Sequence, residues 1–338
     1  TLDLGGFNIN NAELTALKLA DGTNLTVQDS SAAASGMLYG GYVGIYMDPE
    51  TTLTVKSGTV KGDVNAVLNK GTVNLEGSAS LQRNTGYSVD CKSGSILNMT
   101  GGTVFDIGTT ESTYDYAVNI SGGVVENYVY ATSVTGGTIK DLILIHGGEI
   151  KDATITGSVK WLDNTVPKLT NVTLGDDATV KNEGYRFNSD KTKIEEIHYV
   201  AKIGNTGYET LEDAVRAAES GETITVIADT TVDYAIGVSK NLTIDLGGKT
   251  VTSTAWNFAL IISDNVSVQV QNGAIQVAGN YGAISADWSS ELTLTNVKIT
   301  GTSFSTSLVN ICYNATVTVD QDSTIESTYP TNDAQPAV

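Results

Sequence analysis

A short motif, one polar residue between two apolar ones, recurs along nearly the whole chain. It appears as Leu25-Thr-Val27, Leu53-Thr-Val55, Val73-Asn-Leu75, Leu97-Asn-Met99, Val118-Asn-Ile120 and Val172-Thr-Leu174. It continues as Leu242-Thr-Ile244, Val266-Ser-Val268, Leu292-Thr-Leu294 and Val317-Thr-Val319. Strict alternation over so few residues marks a strand with one face buried. Where the motif is regular, its spacing is roughly 20 to 28 residues, the coil length of a solenoid. Gly-rich turns follow many copies and lead into another β pair, as in Ser57-Gly-Thr-Val60, Thr100-Gly-Gly-Thr-Val104, Ser121-Gly-Gly-Val-Val125 and Thr135-Gly-Gly-Thr-Ile139.

Strand, Gly turn, strand, longer loop and strand make one coil of a three-faced, right-handed parallel β-helix. A single coil cannot bury its apolar row; stacked coils align those rows into ladders that form the core. Leucine-rich repeats would need a fixed Leu-x-x-Leu-x-Leu consensus, which is absent. A β-sandwich would not repeat one triplet and one Gly turn at the same phase. Composition agrees: the 35 Gly suit tight turns, and abundant Thr and Val suit pleated backbone. Between residues 101 and 158 the Gly turns crowd together. Either the coils shorten there, or two Gly turns fall in one coil.

Thr1-Leu-Asp-Leu-Gly-Gly-Phe-Asn-Ile9 matches Thr243-Ile-Asp-Leu-Gly-Gly-Lys-Thr-Val251 almost position for position, so the chain reads as two homologous modules. The second copy is preceded by an amphipathic segment at 210–221. Leu211, Ala214, Val215 and Ala218 fall at i, i+3, i+4 and i+7, which predicts a helix. Thr210 at N-cap and Asp213 at N3 form a capping box, and Gly221 is read as its end. A short helix laid across an open solenoid end would cover unpaired backbone and exposed core. The expected organisation is a first β-helix over 1–190 whose N-terminal cap is missing, a junction over 191–208, and a second β-helix over 209–338 with a capping helix near 210–220. The chain starts without Met inside a strand motif, and so reads as a piece of a longer, multi-domain, monomeric chain.

The run from Val200 to Asp229, followed by Leu242-Thr-Ile-Asp-Leu-Gly-Gly-Lys-Thr-Val251, resembles the opening of β-helix modules of the pectin-lyase-like superfamily. Such modules recur in large surface proteins of gut-dwelling Gram-positive bacteria. The resemblance covers roughly 50 residues and implies export, a cell-surface or secreted location and an adhesin-like role. The superfamily also contains polysaccharide lyases and glycoside hydrolases. Lyases of this fold combine a Ca²⁺-binding Asp cluster with an Arg or Lys base, but this chain has only three arginines, Arg83, Arg186 and Arg216. Hydrolases of the superfamily present an acidic doublet, Gly-His-Gly and Arg-Ile-Lys. Only the doublet Asp176-Asp177 is present, and it reads as a solvated turn. His146 follows Ile145, which breaks the Gly-His-Gly form, and His198 is remote from it in sequence. No catalytic residue and no metal ligand set is nominated.

The net charge of −19 disfavours nucleic acid and anionic polysaccharide. Ca²⁺ is the one cofactor such acidity would recruit. Asp3 and Asp245, equivalent in the duplicated motif, are read as acceptors for the backbone N–H groups of the Gly-Gly turn that follows each. No apolar run reaches membrane-spanning length. Cys91 and Cys312 are read as reduced, buried strand residues. Candidate ligand-binding residues are aromatic, because sugar rings carry apolar C–H faces that stack on them. Tyr114, Tyr116, Tyr128 and Tyr130 cluster in the first module, and alternation sends each pair to one face. Trp256 and Trp288 lie about one coil apart in the second, a spacing compatible with a vertical stack. The leading function is therefore binding of a glycan or a host surface protein along a β-helix face. A passive stalk is second, and a polysaccharide-active enzyme third.

Overall fold

The computed structural model describes residues 1–146, 148–278, 281–301 and 307–327. The chain divides into two compact units, Thr1–Glu196 and Ile197–Val338. Each is built of stacked parallel coils around its own core, and the coils wind as a right-handed β-helix.

In the first unit, one face is a nine-stranded sheet that runs from Leu2–Asp3 through Asn24–Gln28, Thr52–Val55, Thr72–Leu75, Ile96–Met99 and Ala117–Ile120 to Lys168–Thr170. The triplets explain it. Their apolar residues point inward, and Val27, Val55, Leu75, Met99 and Ile120 stack in register as one buried row. The polar residue between them points outward into its own row. Asn98 Nδ2 donates to Asn74 Oδ1 at 3.0 Å, Asn119 Nδ2 to Asn98 Oδ1 at 3.1 Å, and Ser133 Oγ to Asn119 Oδ1 at 2.9 Å. Identical amides one coil apart thus bond along the solenoid axis.

The Gly turns form the corner between first and second faces. Gly58, Gly102, Gly123 and Gly137 adopt left-handed φ there, and Asp152 and Asn171 replace them in later coils with φ of 49° and 53°. Those are the side chains that tolerate this conformation best. The crowded region resolves as short coils with one such turn each. One coil advances 14 residues from Val125 to Ile139, against 28 from Val27 to Val55. The shortening comes from fusion of second- and third-face strands into the continuous Val124–Ala131, Thr138–Leu144 and Thr154–Trp161, where a register shift replaces the corner loop. Gly148 precedes a first-face strand and Gly157 lies inside a fused strand, so neither forms that turn; Gly147 lies outside the described residues. The triplet Val172-Thr-Leu174 sits on the second face, where Thr173–Leu174 pairs with Thr154–Ile155. The hairpin Tyr185–Phe187 and Ile194–Glu196 follows the last coil, and Tyr185 packs edge-on against Trp161 at 5.2 Å.

The second unit opens with a cap that contains the helix Leu211–Ala217. Thr210 Oγ1 accepts the Asp213 N–H at 3.0 Å, and Leu211, Ala214 and Val215 are buried. The helix is shorter than the sequence predicts. Ala218 is its C-cap with extended ψ, and Gly221 lies in the following turn with positive φ. The cap also contains a hairpin not foreseen from sequence: Ala201–Ile203 pairs antiparallel with both Thr206–Tyr208 and Thr223–Val226. Parallel coils follow through Leu242–Asp245, Ser267–Val277, Glu291–Gly301 and Thr316–Val319. Leu242 aligns with Val268, so the stacked triplet is 268–270, two residues past the one read from sequence. The third face is the narrow sheet Ile236–Val238, Leu260–Ile262, Ile284–Ala286 and Val309–Ile311. No helix among the described residues is long and apolar enough to cross a membrane.

Candidate functional site

Both units carry aromatic clusters, and the two differ in character: the first is rooted in the core, the second lies outside it. In the first unit, Tyr128 and Tyr130 flank the inward Val129 on a fused strand and share the outer face, as alternation requires. The loop 109–116 folds over this face. Tyr114 stacks on Tyr130 with centroids 5.1 Å apart and an interplanar angle of 17°, and meets Tyr116 edge-on at 6.4 Å. Tyr87, not singled out from sequence, meets Tyr128 edge-on at 6.2 Å and lies over Gly108, where a Cβ would collide with its ring. Two buried carboxylates brace the loop and the neighbouring coil. Asp90 accepts the Thr110 N–H at 3.0 Å and pairs with Lys92 at 3.0 Å. Asp106 accepts the Ser88 N–H at 2.8 Å and forms a two-point pair with Arg83, whose guanidinium stacks over Phe105 at 4.7 Å.

This cluster is an outward extension of the core that pins a loop. Tyr116 is only 7 % exposed and its hydroxyl finds no partner among the described residues, so it presents no ring to a ligand. Tyr114 and Tyr116 sit in the loop and not on a strand, so alternation does not place them on one face. Burial raises the pKa of Tyr87, Tyr116 and Tyr130, followed by neighbouring phenols for Tyr87 and Tyr130 and by the Cys91 thiol and then phenols for Tyr116. Tyr114 is the exposed edge of the cluster, with Tyr128 and Tyr130 half-buried beneath it.

In the second unit the aromatics are far more exposed: Trp256 82 %, Tyr234 79 %, Tyr313 70 % and Trp288 61 %. The last three of the four third-face strands each end in a turn whose third residue beyond the strand is left-handed: Asn265, Ser289 and Asn314, with φ of 63°, 57° and 59°. The residue just before it points to solvent. Strand register, Leu260 with Ile284 and Ile284 with Val309, places Asp264, Trp288 and Tyr313 in one column on consecutive coils. The rings of Trp288 and Tyr313 are 5.7 Å apart and tilted by 56°. Trp256 precedes its strand, whereas Trp288 follows one. They occupy opposite ends of the third face, so the vertical tryptophan stack considered from sequence is replaced by the Trp288–Tyr313 pair. Aligning the three strands by the left-handed residue after them would have found Tyr313.

Past this column the first face begins. A groove of about 240 Å³ lies there, lined among others by Asn241, Ser267, Gln269, Glu291 and Thr293. Leu242 and Val268 also line it, and its polar groups are hydroxyls, amides and one carboxylate, with Ser267 Oγ donating to Glu291 at 2.8 Å. Asp287 accepts from Ser285 Oγ at 2.9 Å, and Asp264 is exposed.

The remaining residues singled out from sequence lie apart from these surfaces. Asp3 Oδ1 accepts the N–H of Gly5 at 3.1 Å and of Ser30 at 2.9 Å, and Asp245 Oδ1 that of Gly247 at 2.9 Å. Gln28 and Gln271 donate to the other oxygen of each at 3.0 Å, so the duplicated motif carries a duplicated turn clamp. Asp176 and Asp177 form an exposed turn, and His146 is exposed 3.9 Å from Asp163. No group of three or more His, Cys, Asp or Glu side chains converges to hold a metal among the described residues. Both cysteines are free. Cys91 is a core residue, but Cys312 is half-buried beyond its strand end, a correction to its reading as a buried strand residue. These features define a two-unit right-handed parallel β-helix protein with an aromatic column on the second unit. No family model, no curated protein and no solved structure matches the chain.

Proposed function

We propose that this chain is the ligand-engaging part of an exported cell-surface protein, adhesin-like, that binds a glycan or a host surface protein along its β-helix. The observation that carries this reading is the exposure of Trp288 and Tyr313 on adjacent coils. Both are large rings that contribute nothing to the core. Exposed aromatics of this kind, beside a groove of hydroxyls and amides, suit the apolar face and hydroxyl rim of a sugar. The net charge of −19 suits solubility outside a cell and argues against nucleic acid. The resemblance of residues 200–251 to pectin-lyase-like modules of gut bacterial surface proteins supports export and a larger multi-domain parent.

A stalk is the second reading, favoured by the bonded Asn74–Asn98–Asn119 ladder, which stiffens the first unit along its axis. A glycan array separates the two. The protein is applied with and without millimolar Ca²⁺, beside the Trp288→Ala/Tyr313→Ala and Tyr114→Ala/Tyr130→Ala double variants. Selective binding that one double variant abolishes supports the adhesin reading. Absence of binding to every glycan and to host-surface protein extracts moves the assignment to the stalk.

A further inference from the structure

We infer that the Asp264–Trp288–Tyr313 column and its adjoining groove form a binding site for a neutral, linear polysaccharide laid along the solenoid axis. The inference rests on the glycan-binding reading above and narrows it to one surface and one ligand class. Its direction follows from the fold. The column residues occur once per coil, so their spacing along the axis is the interstrand spacing of about 4.8 Å. An elongated ligand therefore meets Asp264, Trp288 and Tyr313 in succession only when it runs parallel to the axis. A single small sugar would engage one ring.

Chemistry selects the ligand class. Trp288 and Tyr313 are exposed and touch each other only at a tilt of 56°, so each offers a separate stacking surface. The groove beyond supplies Ser267, Gln269 and Thr293, which donate to and accept from hydroxyl groups. Charge excludes acidic sugars. Asp264 stands one coil before Trp288, Asp287 is its chain neighbour, and Glu291 lines the groove. The nearest lysine in the column, Lys240, is turned onto the helix end, where its Nζ donates to the carbonyls of Arg216 (3.1 Å) and Ala218 (2.5 Å). A uronate or sulfate here would meet like charge without a counterion, which costs affinity.

The test is affinity gel electrophoresis of the whole chain in gels containing a neutral glucan, xylan or mannan, or the carboxymethylated derivative of the same backbone. At least one neutral polymer should retard the protein, and its carboxymethylated form should bind at least about tenfold more weakly, a difference of about 1.4 kcal/mol. Trp288→Ala and Tyr313→Ala should each weaken neutral binding about tenfold, and Trp288→Phe should restore part of it. Asp264→Asn/Asp287→Asn should narrow the gap between neutral and carboxymethylated polymer while neutral binding persists. Equal retardation by both polymers overturns the neutral class. Neutral binding that survives Trp288→Ala/Tyr313→Ala but is lost in Tyr114→Ala/Tyr130→Ala overturns this site and leaves the broader glycan reading standing. No retardation by any polymer, with no hit on the array, overturns both. Asp264, Trp288, Tyr313 and Tyr114 are exposed and Asp287 and Tyr130 half-buried, and matching far-UV circular dichroism certifies the fold of every variant.

Discussion

Some buried polar side chains in this fold sit at corners, where the backbone leaves the ladder and its N–H groups lose partners. Asp29 is the fullest case. Its carboxylate accepts the N–H groups of Gly6 at 2.8 Å, Ser31 at 3.0 Å and Gly36 at 2.5 Å. Burial pushes its pKa up, but these bonds outweigh burial and hold it below the usual carboxylate value. Asp3 is lowered to about 2, chiefly by Gln28 and Ser30. A depressed folded pKa means that the proton binds the unfolded chain more tightly. The stability is then complete above the unfolded value near 3.8 and disappears as pH falls toward 2. The urea midpoint should therefore be flat above pH 5 and fall steeply below pH 4. Asp29→Asn should lower the plateau and flatten the fall, because one amide oxygen cannot serve three donors; an unchanged profile would contradict this role. The cysteines give a second check. Burial pushes the Cys91 thiol up to about 12, while Cys312 is half-buried. At pH 8 a thiol-specific chromogenic reagent should titrate Cys312 in the folded protein and Cys91 only after denaturation.

Strands and corners have separate codes, and only one of them was easy to read. The triplet marks a strand with a buried side, and for most copies its phase gives the first face. It does not say which face a coil has reached: Val172-Thr-Leu174 has the same pattern and lies on the second. Nor does it fix register to better than two residues, since Val266-Ser-Val268 and Val268-Gln-Val270 alternate equally well. Stacking on the previous coil settles both, and that is non-local. The corner code is the left-handed residue, and Asp152 and Asn171 hid it by replacing glycine. At Gly123 glycine is required. Gly123 has φ of 81°, and a Cβ there would lie 2.6 Å from Met99 Cε and 2.7 Å from two carbonyl oxygens. Gly123→Ala should lower the unfolding free energy by about 2 kcal/mol or more, combining left-handed strain with steric overlap. Asn98→Ala should cost about 1–2 kcal/mol by breaking the amide ladder at its centre. Chemical denaturation measures both. The aromatic column belongs to the corner code as well, which is why Trp288 was visible by residue type while Tyr313 and Asp264 were not. Tyr87 carried no signal, because its contacts with Tyr128 and Gly108 depend on loops of irregular length.

Across the whole chain, stability is a sum over neighbouring coils, so what closes a stack matters as much as what fills it. The second unit contains its own closure. Leu211, Ala214, Val215 and Ala218 belong to the same core cluster as Ile224, Ile244 and Val270, and the antiparallel strand Ala201–Ile203 occupies the edge of Thr223–Val226. Among the described residues, every member of that core cluster lies between Ala201 and Val309. A solenoid whose start is capped by its own helix and hairpin buries its first coil with local chain. Residues 197–338 expressed alone should therefore fold with the far-UV signature of β-structure and unfold in one cooperative transition. Leu211 is 2 % exposed and is the helix residue placed first on that core. Leu211→Asp forces a charge into it and should cost at least about 3 kcal/mol, broadening the transition as the first coils fray. Glu212→Ala, one residue away and exposed, is the control and should change stability by under about 0.5 kcal/mol. If the isolated unit fails to fold, or if both variants behave alike, the helix does not close the stack and the unit depends on chain outside it.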